Sequence, residues 1–147
     1  MKAMLEDNVI QGLEYYSYDE VVDLVLDFIK DRLYENNIIP NKDIKIIEIQ
    51  LHGSRLRGQA KKRSDLDAVL QYEGDLREDD LFTILNDRPQ CRIEGIKVDI
   101  NPIKEDMRSY MKRSDDYDQY KLGLANKNKL EERISKLEKI LITKQRL

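Results

Sequence analysis

The sequence is poor in cysteine and histidine and has no long apolar run, and each scarcity removes a class of protein. With Cys91 as the only cysteine, no internal disulfide can form, and a reducing cytosol is the expected compartment. Cys91 and His52, the only histidine, are too few to build a structural zinc site. No stretch approaches the ~20 apolar residues of a membrane helix. The opening "MKAMLEDNVIQGLEYY" lacks the apolar centre of a signal peptide. A soluble, cytoplasmic protein is expected. Charge of one sign is also missing: 26 Lys and Arg against 29 Asp and Glu leave a net −3. A general nucleic-acid binder usually shows a clearly basic domain, so charge gives RNA binding no support, although a local basic patch stays open. Repeats and low-complexity tracts are absent. The 147 residues fit one domain, long enough to bury a core without disulfides or metal.

What is present reads as alternating helix and strand. "SYDEVVDLVLDFIKDRLYENN" carries Val21, Val22, Val25, Leu26, Phe28, Ile29 and Leu33 on one broad helical face. Ser17 and Glu20 predict a capping box at its start, and Asn36, Asn37 and Pro40 its end. "DIKIIEIQLHG" predicts a first strand over about 44–51. One or two helical turns follow from Ser54, then a second strand in "SDLDAVLQY". "REDDLFTILND" predicts a short helix whose acidic start suits the helix dipole, ended by Pro89. "CRIEGIKVDINPI" is a strand, or a hairpin bent at Gly95, closed by Pro102. Two helices, roughly 104–112 and 126–145, finish the chain. Residues 110–123, "YMKRSDDYDQYKLG", are expected as an exposed loop able to meet a partner or acceptor. Leu130, Ile134, Leu137 and Leu141 form an apolar stripe expected to pack on the domain itself, with a dimer or partner interface as the alternative.

The stretch "LHGSRLRGQAKKRSDLDAVLQY", residues 51–72, breaks the pattern. On a strand, residues two apart face the same way, so Asp65 and Asp67 stand together, about 7 Å apart. Two carboxylates at that distance repel by about 2 kcal/mol at an effective dielectric near 20. A cation compensates such an arrangement, and hard divalent ions such as Mg²⁺ take carboxylate oxygens together with substrate phosphates. Gly53 lets a phosphate approach the backbone, where free amides and the Ser54 hydroxyl can bind its oxygens. Arg55, Arg57, Lys61, Lys62 and Arg63 add positive charge nearby. A third acid, Asp99, sits in the strand-like "IKVDIN". Three acids on two neighbouring strands could hold two Mg²⁺ ions about 4 Å apart, with Asp99 accepting a proton from an attacking hydroxyl.

Gly53-Ser54, ten intervening residues and Asp65-Leu66-Asp67 resemble the signature of the minimal nucleotidyltransferases of the DNA polymerase β superfamily. "HGSRLRG", "SDLDAVL" and the later "KVDIN" carry the likeness, which covers residues 44–101. It implies an α+β fold, a short mixed β-sheet with helices packed mainly on one face. The nucleotidyltransferase core then spans 17–103, with a C-terminal helical extension over 104–147. It further implies transfer of a nucleoside monophosphate, usually AMP from ATP, to a hydroxyl on a protein, RNA or small molecule. Gly53 and Ser54 then bind the triphosphate, with Arg55 and Arg57 as further phosphate contacts, and Asp65, Asp67 and Asp99 form the catalytic metal site. The group includes antitoxins that modify a companion helical toxin, so a partner protein or a homodimer is compatible with the small size. A stoichiometric, non-catalytic antitoxin or regulator is the rival reading. His52 stands where the group often has an apolar or aromatic residue, and no second domain to hold an acceptor is evident. His52, Tyr72 and Cys91 read most simply as structural, with Tyr72 and Cys91 in the core.

Overall fold

The computed structural model describes residues 9–145, without the side chains of 126, 128–131 and 140–145. Helix α1, Tyr18–Glu35, begins where the sequence places it. Ser17 Oγ accepts the Glu20 N–H at 3.1 Å and Glu20 Oε1 accepts the Ser17 N–H at 2.9 Å, a reciprocal cap worth about 1 kcal/mol. Val21, Val25, Ile29 and Leu33, spaced by fours, bury one stripe against the sheet, while Val22 and Phe28 pack at its margin. Asn36 caps the end, and Asn37 follows at φ 59°.

Strand β1 runs Ile44–His52 and β2 Leu66–Gly74. After α2, Glu78–Asn86, come β3, Arg92–Ile93, and β4, Ile96–Ile103. They form one mixed sheet in the order β1-β2-β4-β3, with only β2 and β4 parallel. A parallel pair requires a crossover, and α2 lies within it. Between β3 and β4 the chain is a hairpin, with Glu94 at φ 50° and Gly95 at φ 81° making the tight turn. Pro102 does not close β4. It stands within the strand opposite Leu70.

Period-two alternation divides the sheet's two faces between different jobs. Leu66, Ala68, Leu70 and Tyr72 of β2, with Val98 and Ile100 of β4, join the main core beneath α1 and α2. The opposite face carries Asp67 and Val69 on β2, and Asp99 and Ile103 on β4. Val69 and Ile103 pack against Met107, Met111 and Tyr120 in a second, smaller core. That small core corrects the expected C-terminal helices. Helix α3 is only Met107–Met111, and α4 starts at Tyr117, well before 126, and continues to Gln145. Tyr117, Tyr120 and Leu124, at helical spacing, face Met107 and Met111, so burial begins the helix inside a stretch whose charges suggest a loop. Further along α4, Ile134 and Leu137 are 47% and 60% exposed and do not pack on the domain. Leu130 and Leu141, the ends of the expected stripe, lie outside the described side chains. Among the described residues, no helix is long and apolar enough to cross a membrane.

Candidate active site

The acid-bearing face is organised by strand register. His52 of β1 is the register partner of Asp67 of β2, and Asp67 is the partner of Asp99 of β4. A row of His52, Asp67 and Asp99 therefore crosses three strands on the face turned away from the main core. Asp65 precedes β2 by one residue and shares Lys97 with Asp99. Asp67 and Asp99 are thus neighbours across the sheet, and Asp65 lies near Asp99 at the start of β2.

Asp65 and Asp67 both hold a proton more readily than usual, chiefly through burial. Partial burial raises the Asp65 carboxyl above the ordinary range, helped by the neighbouring Asp99 carboxylate and opposed by Lys97. Burial also raises Asp67, with His52 opposing and Asp99 adding to the rise. Lys97, two residues before Asp99 on β4 and so on the same face, answers part of this charge. Its Nζ lies 3.3 Å from Asp99 Oδ1 and 3.9 Å from Asp65 Oδ2.

Beyond β1 the chain turns at Gly53, whose φ is 104°, and the Leu56 N–H donates to the Gly53 carbonyl at 3.1 Å. Left-handed backbone favours glycine, and the space here demands it as well. A Cβ on Gly53 would lie 2.5 Å from Asp67 Oδ2. The turn and the acid are therefore pressed together with no room for a side chain between them.

A cleft of about 540 Å³ opens beside this contact, lined by His52, Gly53, Ser54, Arg57 and Asp67 from the sheet side. Tyr110, Arg113 and the α3–α4 connection close the other side. Asp65 and Asp99 adjoin Asp67 without lining the cleft. Arg57 enters it, whereas Arg55 has a different job from the phosphate contact expected of it. The Arg55 guanidinium is buried and donates to the carbonyls of Ser64 at 2.9 Å, Gln11 at 2.7 Å and Lys62 at 3.3 Å. It pins the loop between β1 and β2 to the N-terminal segment. Lys61, Lys62 and Arg63 are exposed and outside the cleft lining.

Asp116, in the segment expected as an exposed loop, is 4% exposed and reaches the turn from across the cleft. Its Oδ2 accepts the Gly53 N–H at 2.7 Å and lies 3.5 Å from His52 Nδ1. Its Oδ1 accepts from Arg57 at 2.9 Å. No local pattern announces this contact, which spans 63 positions of sequence. One signal was available: Asp116 directly precedes the apolar spacing of Tyr117, Tyr120 and Leu124 that starts α4. His52, beside the turn, packs edge-on to Tyr110 with ring centres 6.2 Å apart. Tyr72 and Cys91 are core residues, and the Tyr72 hydroxyl donates to the Leu76 carbonyl at 2.6 Å.

The family model of the nucleotidyltransferase domain matches residues 22–147. The chain belongs to the nucleotidyltransferase domain family. Neither a curated protein nor a solved structure matches it significantly. The family's general chemistry, nucleotidyl transfer, is therefore the activity to set against this site, and nucleotidyltransferase domains generally use a nucleoside triphosphate and a divalent metal. The donors fit a hard cation in kind, being carboxylate oxygens with unbalanced negative charge. They do not form a finished cage: among the described residues, no three acidic, histidine or cysteine side chains are grouped to hold a metal. A divalent ion here would take one or two carboxylates and fill its shell with water and phosphate oxygens, the habit of Mg²⁺.

Proposed function

We propose that this nucleotidyltransferase transfers AMP from ATP to a hydroxyl group, on a protein, an RNA or a small molecule, and releases pyrophosphate. The observation that carries the proposal is the contact of the Gly53 turn with Asp67, which is itself in register with Asp99. Phosphate-binding amides and paired acids then lie within one nucleotide's length. In this reading Gly53, Ser54 and Arg57 hold the triphosphate tail, and one or two of Asp65, Asp67 and Asp99 would bind Mg²⁺ directly, with the remaining acid beside it. When bound, the metal supplies charge neutralisation of the phosphates and activation of the attacking oxygen.

The chain's own residues supply position and proton transfer. The acceptor oxygen forms a bond to the α-phosphorus as the bond from that phosphorus to the pyrophosphate oxygen breaks. Asp99 takes the acceptor's proton. Amides fixed by the turn and the charge of Arg57 receive the negative charge of the departing pyrophosphate. Placing these groups before the substrate arrives contributes by orientation, since the turn and the strands do not have to be assembled.

A second reading, a stoichiometric regulator or antitoxin that works by protein contact, draws on one observation. Ile134 and Leu137 stand exposed on α4, available to a partner protein or a second copy. One experiment separates the two. The purified chain is incubated with Mg²⁺, ATP labelled at the α-phosphate and co-purifying proteins, followed by intact-mass measurement. Transfer predicts a mass increase of one AMP on an acceptor, abolished in Asp65→Ala/Asp67→Ala. A partner bound tightly but never modified, with no pyrophosphate released from ATP, supports the second reading and contradicts the first.

A further inference from the structure

We infer that Asp116 is an internal stand-in for a nucleotide phosphate and gates the triphosphate end of the cleft. The inference rests on the nucleotidyl-transfer reading and adds to it a device that this chain carries. Two donors converge on one buried carboxylate, the Gly53 N–H at 2.7 Å and Arg57 at 2.9 Å, with His52 Nδ1 3.5 Å away. A backbone amide, a guanidinium and an imidazole around one point make an oxyanion site. Its occupant comes from the chain itself.

The occupied amide is the one that a phosphate at this turn would need. One N–H cannot serve Asp116 and a phosphate oxygen with full strength together, so nucleotide binding and the Asp116 contact compete. Asp116 is placed to give way. It lies in the short connection between α3 and α4, outside both helices, so a side-chain rotation releases it without unwinding either one. A phosphate group offers more oxygens and more charge than a carboxylate to the same donors, which favours the exchange. The freed carboxylate would then lie at the cleft wall beside Ser114 and Asp115, which line the same space. The same inference assigns His52, read from sequence as structural, to the phosphate site.

The test uses inorganic pyrophosphate in the presence of EDTA, titrated calorimetrically into the full chain, so that no metal enters the readout. Asp116→Asn keeps the shape and removes the competing charge. If the gate is closed in most molecules, the variant binds pyrophosphate about tenfold more tightly, because apparent affinity scales with the open fraction. Asp115→Asn, an exposed neighbouring charge in the same cleft, is the control and shifts affinity by about twofold at most. Weaker or unchanged binding in Asp116→Asn overturns the gate and leaves Asp116 an anchor of α4. An equal gain in Asp115→Asn overturns it too, by reducing the effect to general repulsion.

Should Asp116→Asn fail to fold, NMR of the wild-type chain decides. Pyrophosphate should shift the Gly53 amide and the Asp116 carboxyl carbon together, and an unmoved Asp116 signal with pyrophosphate bound overturns the exchange. The outcomes for gate and chemistry are separable. AMP transfer with an ATP KM untouched by Asp116→Asn removes the gate alone. Tighter pyrophosphate binding by the variant, without AMP transfer by either form, supports the gate and removes the transfer reading.

Discussion

A methyl group on Gly53 would sit 2.5 Å from Oδ2 of Asp67, closer than real side-chain contacts allow. The glycine turn and the first acid of β2 are thus one structural unit. Gly53→Ala adds that clash to a φ of 104°, a backbone region costing a non-glycine residue about 1–3 kcal/mol. The variant should lose about that much stability in urea unfolding. It should lose nucleotide affinity as well, because the Asp67 carboxylate must swing away from the turn. A variant with wild-type stability and affinity would show that the close approach is unimportant.

Arg55 and Arg57, two residues apart, should respond oppositely to substitution. Arg55→Met leaves three carbonyls without their charged donor and should cost roughly 3 kcal/mol, read as a lower melting temperature. Arg57→Gln should leave melting within a few degrees and raise the KM for ATP. Measuring both properties on both variants checks the assignment, and interchanged effects would contradict it.

Lys97 holds a position between Asp65 and Asp99 that a metal ion would share. In Lys97→Met the two acids lose their internal counter-charge. The variant should be destabilised by up to about 1 kcal/mol in EDTA, the scale of a partly exposed ion pair. It should then gain more thermal stability than wild type on adding Mg²⁺ or Mn²⁺. Equal metal-induced shifts in the two proteins would mean that Lys97 does not offset the acids.

Burial pushes the Cys91 thiol up to about 11 from an ordinary 9.0, with Arg32 opposing. A raised thiol keeps its proton in the fold while the unfolded chain gives it up sooner. Its contribution to stability is therefore complete below pH 9 and fades as pH climbs from 9 to about 11. Cys91→Ala should flatten that part of the alkaline stability curve. A thiol reagent at pH 7.5 should label the native protein slowly and the urea-unfolded protein fast, since thiolate is the reactive form.

Much of the fold was legible in the sequence because its signals are local. The Ser17–Glu20 cap, the four-residue spacing from Val21 to Leu33 and the β-branched run into β1 all act within a few residues. The strand positions of Asp67 and Asp99 were legible for a related reason, since acids inside apolar strands stand out against their neighbours, whereas Asp65 lies one residue before β2. Arg55 was misread because sequence shows charge and not burial, and three backbone carbonyls decide its role. Asp116 was missed because its partners lie far away in the chain and its surroundings are polar. The early start of α4 was missed with it, since Tyr117 and Tyr120 find Met107 and Met111 only after the sheet has formed.

The measurement that bears most directly on the site is pyrophosphate release from ATP by Asp67→Asn and Asp99→Asn, each with Mg²⁺ and a mass-verified acceptor. Both side chains keep their shape and lose their charge, and both are partly exposed, so the fold should persist by circular dichroism. If the register pair works as the transfer centre, each variant releases pyrophosphate roughly 1,000-fold more slowly than wild type, or less. Release at the wild-type rate by either folded variant would contradict the account.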